Sequence, residues 1–172
     1  IRDSPYCVSI ALRNKHELLL GVVYDPCLDE CFYAWKGGGA YLNGQSLQVS
    51  SVRSMEASFV VTELPYNSEQ YARTGEYLIR ELYGRVAGIR MNGSAAIALC
   101  YVAAGRFDAW LEAFLGKWDF SAAALIVQEA GGRVTDFYGN AGFIDGHHVV
   151  ATNGWLHPFL LELVQKAMPL GM

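Results

Sequence analysis

Asp119 stands immediately before a run of small and apolar residues that extends over Phe120–Val127. An aspartate here predicts a helix N-cap, because its carboxylate can accept hydrogen bonds from the first free backbone N–H groups. The run is apolar on nearly every face, so the helix is predicted to be buried, to end at Gly131-Gly132 and to be followed by a strand over 133–136. The pattern places a carboxylate at a strand-to-helix junction, where α/β proteins bind ligands. The alternative is that Asp119 only caps a helix.

A second candidate site is the turn Asn92–Ala96, where a predicted strand is followed by a predicted helix. Gly93 permits close approach of the backbone, and Ser94 is a predicted helix cap. Free N–H groups at a helix N-terminus, with the positive end of the helix dipole, favour an anion or hydroxyl oxygens. A plain cap and turn is the alternative.

Glu112 ends a strand that is predicted over 107–112. Its carboxylate should lie at the same edge of the sheet as Asp119, which would bring two acidic groups to one site. A solvent-facing glutamate at a strand end is the alternative. Of the other acidic residues nearby, Asp108 and Asp136 are predicted to be surface or capping residues, and Glu129 is predicted to be structural.

The elements that carry these residues are of two kinds. The first 55 residues predict an antiparallel meander with an Asn43-Gly44 hairpin turn, whose strands are predicted over 6–13, 18–24, 30–36 and 45–50. Strands then alternate with helices, which predicts a layered arrangement; the further helices are predicted over 68–83, 94–104 and 156–168. We therefore predict an α+β fold, with residues 1–55 as part of an antiparallel-sheet subdomain and residues 56–172 as an α/β subdomain.

Composition narrows the class of protein. The 172 residues are 52% hydrophobic and only 17% charged, which argues against disorder, and the net charge of −4 gives no support for a broad nucleic-acid surface. No apolar run is long enough to span a bilayer. The four cysteines lie in apolar surroundings without a second Cys or His pair at zinc spacing, which indicates a reduced, cytoplasmic protein.

Several segments together resemble the inositol monophosphatase family over nearly the whole chain. The most specific are Trp118-Asp119 followed by Glu129–Gly132, and the turn Gly93-Ser94-Ala95; the meander segments around "GVVYDP" and "KGGGAYLNGQ" are also similar. The resemblance implies a layered αβαβα sandwich and a magnesium-dependent phosphatase that acts on a small phosphate ester such as inositol monophosphate. It also implies lithium inhibition and a homodimer. The composition, by contrast, leads us to expect no direct nucleic-acid binding and no membrane span.

The same resemblance implies residue roles. Asp119 would be a ligand for catalytic Mg²⁺, Glu112 would accept hydrogen bonds from the substrate hydroxyls, and Gly93, Ser94 and Ala95 would contact the polyol. Tyr66 is a weaker candidate for substrate contact. Some relatives carry a histidine shortly before the Trp-Asp pair; Gly116 and Lys117 stand here instead, which leaves the exact substrate open.

The family's other metal ligands lie in an Asp-Pro-Ile-Asp-Gly-Thr motif and in an earlier Glu-Glu pair, and neither occurs in these 172 residues. The N-terminal "IRDSPYCVSIAL" resembles the segment directly C-terminal to that motif, so we expect the chain to be the C-terminal part of a larger enzyme and to be inactive alone. Two alternatives remain open. One is a bisphosphatase of the same superfamily, acting on fructose 1,6-bisphosphate or a phosphoadenosine nucleotide; the other is a non-catalytic scaffold that works through partners.

Overall fold

The N-terminal sheet is a meander of five antiparallel strands in their chain order. The computed structural model describes residues 5–64 and 69–168. The strands are β1 (Val8–Arg13), β2 (Leu18–Asp25), β3 (Glu30–Trp35), β4 (Ala40–Leu42) and β5 (Gln45–Ser46). The predicted meander is confirmed, and both Asn43 and Gly44 have the positive φ that a tight hairpin turn requires. The predicted last strand is shorter, because only two of its residues pair with β4.

The second sheet is mixed, with the order β7-β6-β8-β10-β9. Its strands are β6 (Phe59–Thr62), β7 (Gly88–Arg90), β8 (Ala109–Ala113), β9 (Arg133–Thr135) and β10 (His148–Thr152). β6 runs parallel to both β7 and β8, whereas β10 is antiparallel to β8 and β9. Because β6 and β8 are parallel neighbours, the residues that come after them lie at one edge of the sheet.

Four helices complete the described part of the chain: α1 (Glu69–Leu82), α2 (Ala95–Ala103), α3 (Lys117–Glu129) and α4 (His157–Ala167). Helices α2 and α3 lie between the two sheets, and α1 and α4 cover the other face of the second sheet. The predicted α+β sandwich is confirmed, and the described residues form four of its layers in the order sheet, helices, sheet, helices. The first residue of the helix predicted over 68–83 lies outside the described residues.

The core is organised around α3. Every residue from Phe120 to Val127 is buried, as the sequence predicts. Gly21 of β2 lies so close to this helix that a Cβ there would be 2.3 Å from the carbonyl oxygen of Ala122, so the strand can approach the helix only without a side chain. One apolar cluster runs from Phe32 in the first sheet through α3 to Trp110 in the second. The subdomain boundary near residue 55 stays a prediction.

Two acidic side chains connect distant segments. Glu129, at the end of α3, accepts hydrogen bonds from the backbone N–H groups of Gly37 (2.8 Å) and Gly39 (2.9 Å), so its predicted structural role is confirmed. The prediction of Asp108 as a surface residue is wrong, since it is only 4% exposed. Its carboxylate accepts hydrogen bonds from Ser50 Oγ and from the backbone N–H of Phe59, and these long-range contacts leave no signal in the local sequence.

No helix in residues 5–64 or 69–168 combines the length and apolar character needed to cross a bilayer.

Candidate functional site

A cleft of about 550 Å³ opens where β8 ends and where α2 and α3 begin. The structure brings all five predicted site residues to it: Gly93, Ser94, Ala95, Glu112 and Asp119. Residues for which the sequence predicted no role in the site complete the lining: Pro5, Cys7, Ser9, Glu63, Ala96, Phe114, Leu115 and Trp118. The functional roles of the five residues stay predictions; their common location is a result of the fold. Tyr66 lies outside the described residues.

Asp119 does not occupy the N-cap position that the sequence predicted. The helix begins three residues earlier than predicted, at Lys117, with Gly116 as its N-cap and Asp119 in its first turn. The Asp119 carboxylate bonds back to the N–H of Gly116 at 2.8 Å. Asp119 is the third residue of the helix, and its side chain accepts a hydrogen bond from the N–H of the N-cap residue, as the third residue does in a capping box. This bond allows the helix to start before Asp119. Asp119 Oδ2 makes that bond, and the carboxylate still lines the cleft.

Glu112 has the most perturbed environment in the cleft. Burial raises the pKa of its carboxyl to about 8, and the nearby carboxylates of Glu63 and Asp119 contribute to that rise. Glu112 Oε2 is buried and has no hydrogen-bond partner among the described residues. Three acidic groups therefore face one cleft, and one of them holds a proton at neutral pH.

Glu63 is the site residue that the sequence reasoning missed. Its Oε1 accepts hydrogen bonds from the backbone N–H groups of Asn92 (2.5 Å) and Gly93 (2.8 Å), and it thereby fixes the turn before α2. Gly93 has φ +76°, which favours glycine there. The signal that could have identified Glu63 is its position directly after β6, since β6 and β8 are parallel and Glu112 lies near the end of β8.

The turn therefore differs from the predicted anion site in one respect. The N–H of Gly93 is already bonded to a carboxylate and is not available to an anion. Ser94 is the N-cap of α2, as predicted, but its side chain makes no capping bond and lies 3.9 Å from the Cys7 thiol. The Ser94 hydroxyl and the backbone N–H groups in the first turn of α2 are the polar groups of this turn that can face a ligand.

The side chains that line the cleft carry the kind of ligand atoms that a hard cation prefers. The acidic groups of the cleft offer oxygen ligands, which Mg²⁺ prefers, and the unpartnered oxygen of Glu112 is a group that a cation would satisfy. No group of three or more His, Cys, Asp or Glu side chains in residues 5–64 and 69–168 has the geometry to hold a metal ion. The described residues therefore supply individual oxygen ligands to the cleft but do not by themselves form a complete cation site.

The pKa of Glu112 predicts an unusual pH dependence of stability. The folded carboxyl keeps its proton up to about pH 8, whereas the carboxyl of the unfolded chain ionises near the ordinary glutamate pKa of 4.5. The folded state binds more protons between these values, so the contribution of Glu112 to stability is full below pH 4.5 and is lost as the pH rises to 8. Glu112→Gln removes this titration. As the pH rises from 5 to 9, the free energy of unfolding of the variant should increase by about 2–4 kcal/mol relative to that of the original chain.

Urea denaturation of both chains at pH 5, 7 and 9 measures that difference. Glu76→Gln is the matched control, because Glu76 is exposed on α1 and lies outside the cleft. A Glu112→Gln chain whose stability changes with pH in parallel with the original chain would contradict the assignment.

Comparisons with known proteins agree with this geometry. A family model described as the inositol monophosphatase family matches residues 1–168. The chain is 44% identical over 166 residues to the "Nus factor SuhB" of Pseudomonas aeruginosa, covering 95% of this chain and 61% of that protein. It is 37% identical over 166 residues to the "Inositol-1-monophosphatase" of Rhizobium meliloti, covering 95% and 62%.

Solved structures give the same fold. The extragenic suppressor protein suhB from Bartonella henselae superimposes with a TM-score of 0.89 at 37% identity, covering 94% of this chain and 63% of that one. An IMPase from Thermotoga maritima superimposes with a TM-score of 0.86 at 34% identity, covering 95% and 62%.

The chain spans about three fifths of the length of the curated relatives that it matches. The family model covers almost all of it, and the solved relatives share its sheets and helices. The chain belongs to the inositol monophosphatase family.

Proposed function

We propose that this chain is part of a magnesium-dependent phosphomonoesterase that hydrolyses inositol monophosphate to inositol and phosphate. The observation that carries the proposal is the convergence of Glu63, Glu112 and Asp119 on one cleft, where Glu112 is held protonated at neutral pH. Carboxylates crowded in this way repel one another unless a cation joins them. A relative named as an inositol-1-monophosphatase supports the choice of substrate.

Asp119 is the residue that we assign to Mg²⁺. A bound Mg²⁺, held in part by Asp119, would supply the positive charge needed to activate a water molecule, orient the phosphate and stabilise the leaving alkoxide. One carboxylate does not make a tight magnesium site. We propose that the other ligands come from a segment upstream, of the kind that carries the Asp-Pro-Ile-Asp-Gly-Thr motif in the family.

The remaining cleft residues are assigned to the polyol. Glu112 would accept hydrogen bonds from substrate hydroxyls through its buried, unpartnered Oε2, because a carboxyl keeps acceptor capacity even when it is protonated. Ser94 and Ala95 face the cleft from the start of α2, where the helix dipole favours oxygen atoms. Gly93 contributes by its positive φ, which lets the turn approach the ligand.

The test is phosphate release from inositol 1-phosphate, with and without Mg²⁺, by the 172-residue chain and by a form extended upstream through the missing motif. We expect magnesium-dependent release from the extended form and none from the 172-residue chain. A cytoplasmic homodimer inhibited by Li⁺ belongs to the same proposal. Release without Mg²⁺, or none from either form, would contradict it. A faster reaction with fructose 1,6-bisphosphate or a phosphoadenosine nucleotide would favour the bisphosphatase alternative.

A second candidate function is supported by the names of relatives. Proteins that are 44% and 43% identical to this chain, from Pseudomonas aeruginosa and Escherichia coli, are named Nus factor SuhB. In this second candidate the fold works through a macromolecular partner, and the carboxylates of the cleft would be dispensable. Asp119→Asn separates the two candidates, because it should abolish a phosphatase function and spare a scaffold function.

A further inference from the structure

Glu63 places a negative charge beside the start of α2. Its Oε1 accepts hydrogen bonds from the backbone N–H groups of Asn92 (2.5 Å) and Gly93 (2.8 Å), the two residues before the N-cap Ser94. The first N–H groups of a helix have no partner within the helix, and with the helix dipole they favour the binding of phosphate and other anions. In this chain a carboxylate of the protein itself already bonds to the turn that leads into such a helix.

Both contacts join residues of the described chain and involve no segment upstream. Glu63 comes directly after β6, and the turn comes after β7, which is the parallel neighbour of β6. Parallel pairing brings the ends of the two strands to one edge of the sheet, so the sheet itself holds the carboxylate against the turn. Gly93 has φ +76°, and successive N–H groups around such a left-handed residue can converge on a single oxygen atom.

The charge around this turn is negative. Glu63, Glu112 and Asp119 line the cleft, and no lysine or arginine lines it in the described part of the chain. An oxyanion that approached the Ser94 hydroxyl and the first N–H groups of α2 would meet the Glu63 carboxylate beside them. An uncharged hydroxyl would meet no such repulsion.

We propose that Glu63 orients the phosphate ester in the cleft, because its charge keeps the phosphate away from the start of α2 and leaves that side to the hydroxyls of the alcohol. This inference rests on the proposed function for the identity of the alcohol, whereas the exclusion of anions can be measured without it. Glu63 takes no part in bond breaking. It is a positioning residue that acts through its charge and through the turn that it holds.

Glu63→Gln separates the charge from the hydrogen bonds. The amide oxygen of glutamine can accept the same two bonds, so the turn should keep its conformation while the charge is removed. Glu56→Gln is the matched control, because it removes the same charge from an exposed residue outside the cleft. Both variants should keep the unfolding midpoint of the original chain.

The probes are the two halves of the proposed substrate, inorganic phosphate and free inositol. Each is titrated without Mg²⁺ into the ¹⁵N-labelled chain at constant pH and ionic strength, and the amides of Gly93, Ser94 and Ala95 are followed. In the original chain and in Glu56→Gln, we expect inositol to shift these amides and phosphate to leave them unchanged. In Glu63→Gln phosphate should bind at the turn at least about tenfold more tightly, because a neighbouring unit charge no longer opposes it.

A gain of phosphate binding cannot come from a damaged fold, so this outcome distinguishes the charge of Glu63 from a purely structural role. Phosphate that shifts the amides of the original chain, or that binds Glu63→Gln no better than Glu56→Gln, overturns the inference. If phosphate shifts the amides only in Glu63→Gln and inositol shifts them in no chain, the exclusion of anions by Glu63 is supported and the polyol site of the proposed function is overturned.

Discussion

Asp119→Asn is expected to reduce magnesium-dependent phosphate release by about a thousandfold, because the ligand that we assign to Mg²⁺ loses its charge. The comparison uses the upstream-extended form, in which we propose that the remaining ligands lie. The amide oxygen of an asparagine can still accept the bond from the Gly116 N–H that Asp119 accepts at 2.8 Å. The substitution should therefore leave the start of α3 in place and remove the carboxylate alone.

A second readout does not depend on turnover. Mg²⁺ should raise the unfolding midpoint of the extended form with Asp119 and should have little effect on the variant, because a ligand stabilises only the state that binds it. Asp29→Asn is the control. Asp29 is an exposed aspartate with φ +54°, a conformation that asparagine accepts readily. A variant that keeps both magnesium-dependent release and the stabilisation would remove Asp119 from the metal site.

Asp108→Ala is expected to lower the free energy of unfolding by about 3–4 kcal/mol. The buried carboxylate accepts hydrogen bonds from Ser50 Oγ (2.5 Å) and from the Phe59 N–H (2.6 Å). Alanine leaves both donors without this acceptor. Ser50 Oγ also accepts a hydrogen bond from Asn153 Nδ2 at 2.9 Å, and the carboxylate no longer fixes the position of that hydroxyl. The loss should be large because this carboxylate holds both Ser50 and Phe59, which lie 58 and 49 positions away from it in the sequence.

The free energy of unfolding of Asp108→Asn should lie between those of the original chain and Asp108→Ala, since the amide oxygen can replace one of the two acceptor atoms. Chemical denaturation of the three chains, with Glu56→Ala as an exposed acidic control, gives the values. A loss below about 1 kcal/mol for Asp108→Ala would show that water replaces the carboxylate at little cost. The cleft lies elsewhere, so ligand binding by the folded fraction should be unchanged.

Local pattern was enough to predict most of the elements, and together with the family resemblance it indicated the residues that line the candidate cleft. The burial of α3 follows from the apolar run Phe120–Val127, and the hairpin follows from Asn43-Gly44, because each depends on neighbouring residues. The start of α3 was predicted three residues too late. The reciprocal bond between Asp119 and Gly116 decided that boundary, and an aspartate can either begin a helix or bond back from inside its first turn.

The sequence by itself determined which residue types are available: the acidic Glu112 and Asp119, the permissive Gly93, and helices that begin near them. Only the tertiary structure decided the surroundings of each one. Glu63 and Gly93 are 30 positions apart, and Asp108 and Ser50 are 58 apart, so neither contact has a local signature. The pKa of Glu112 is likewise a property of the assembled cleft, because burial and the approach of Glu63 and Asp119 exist only once parallel strands bring their ends together.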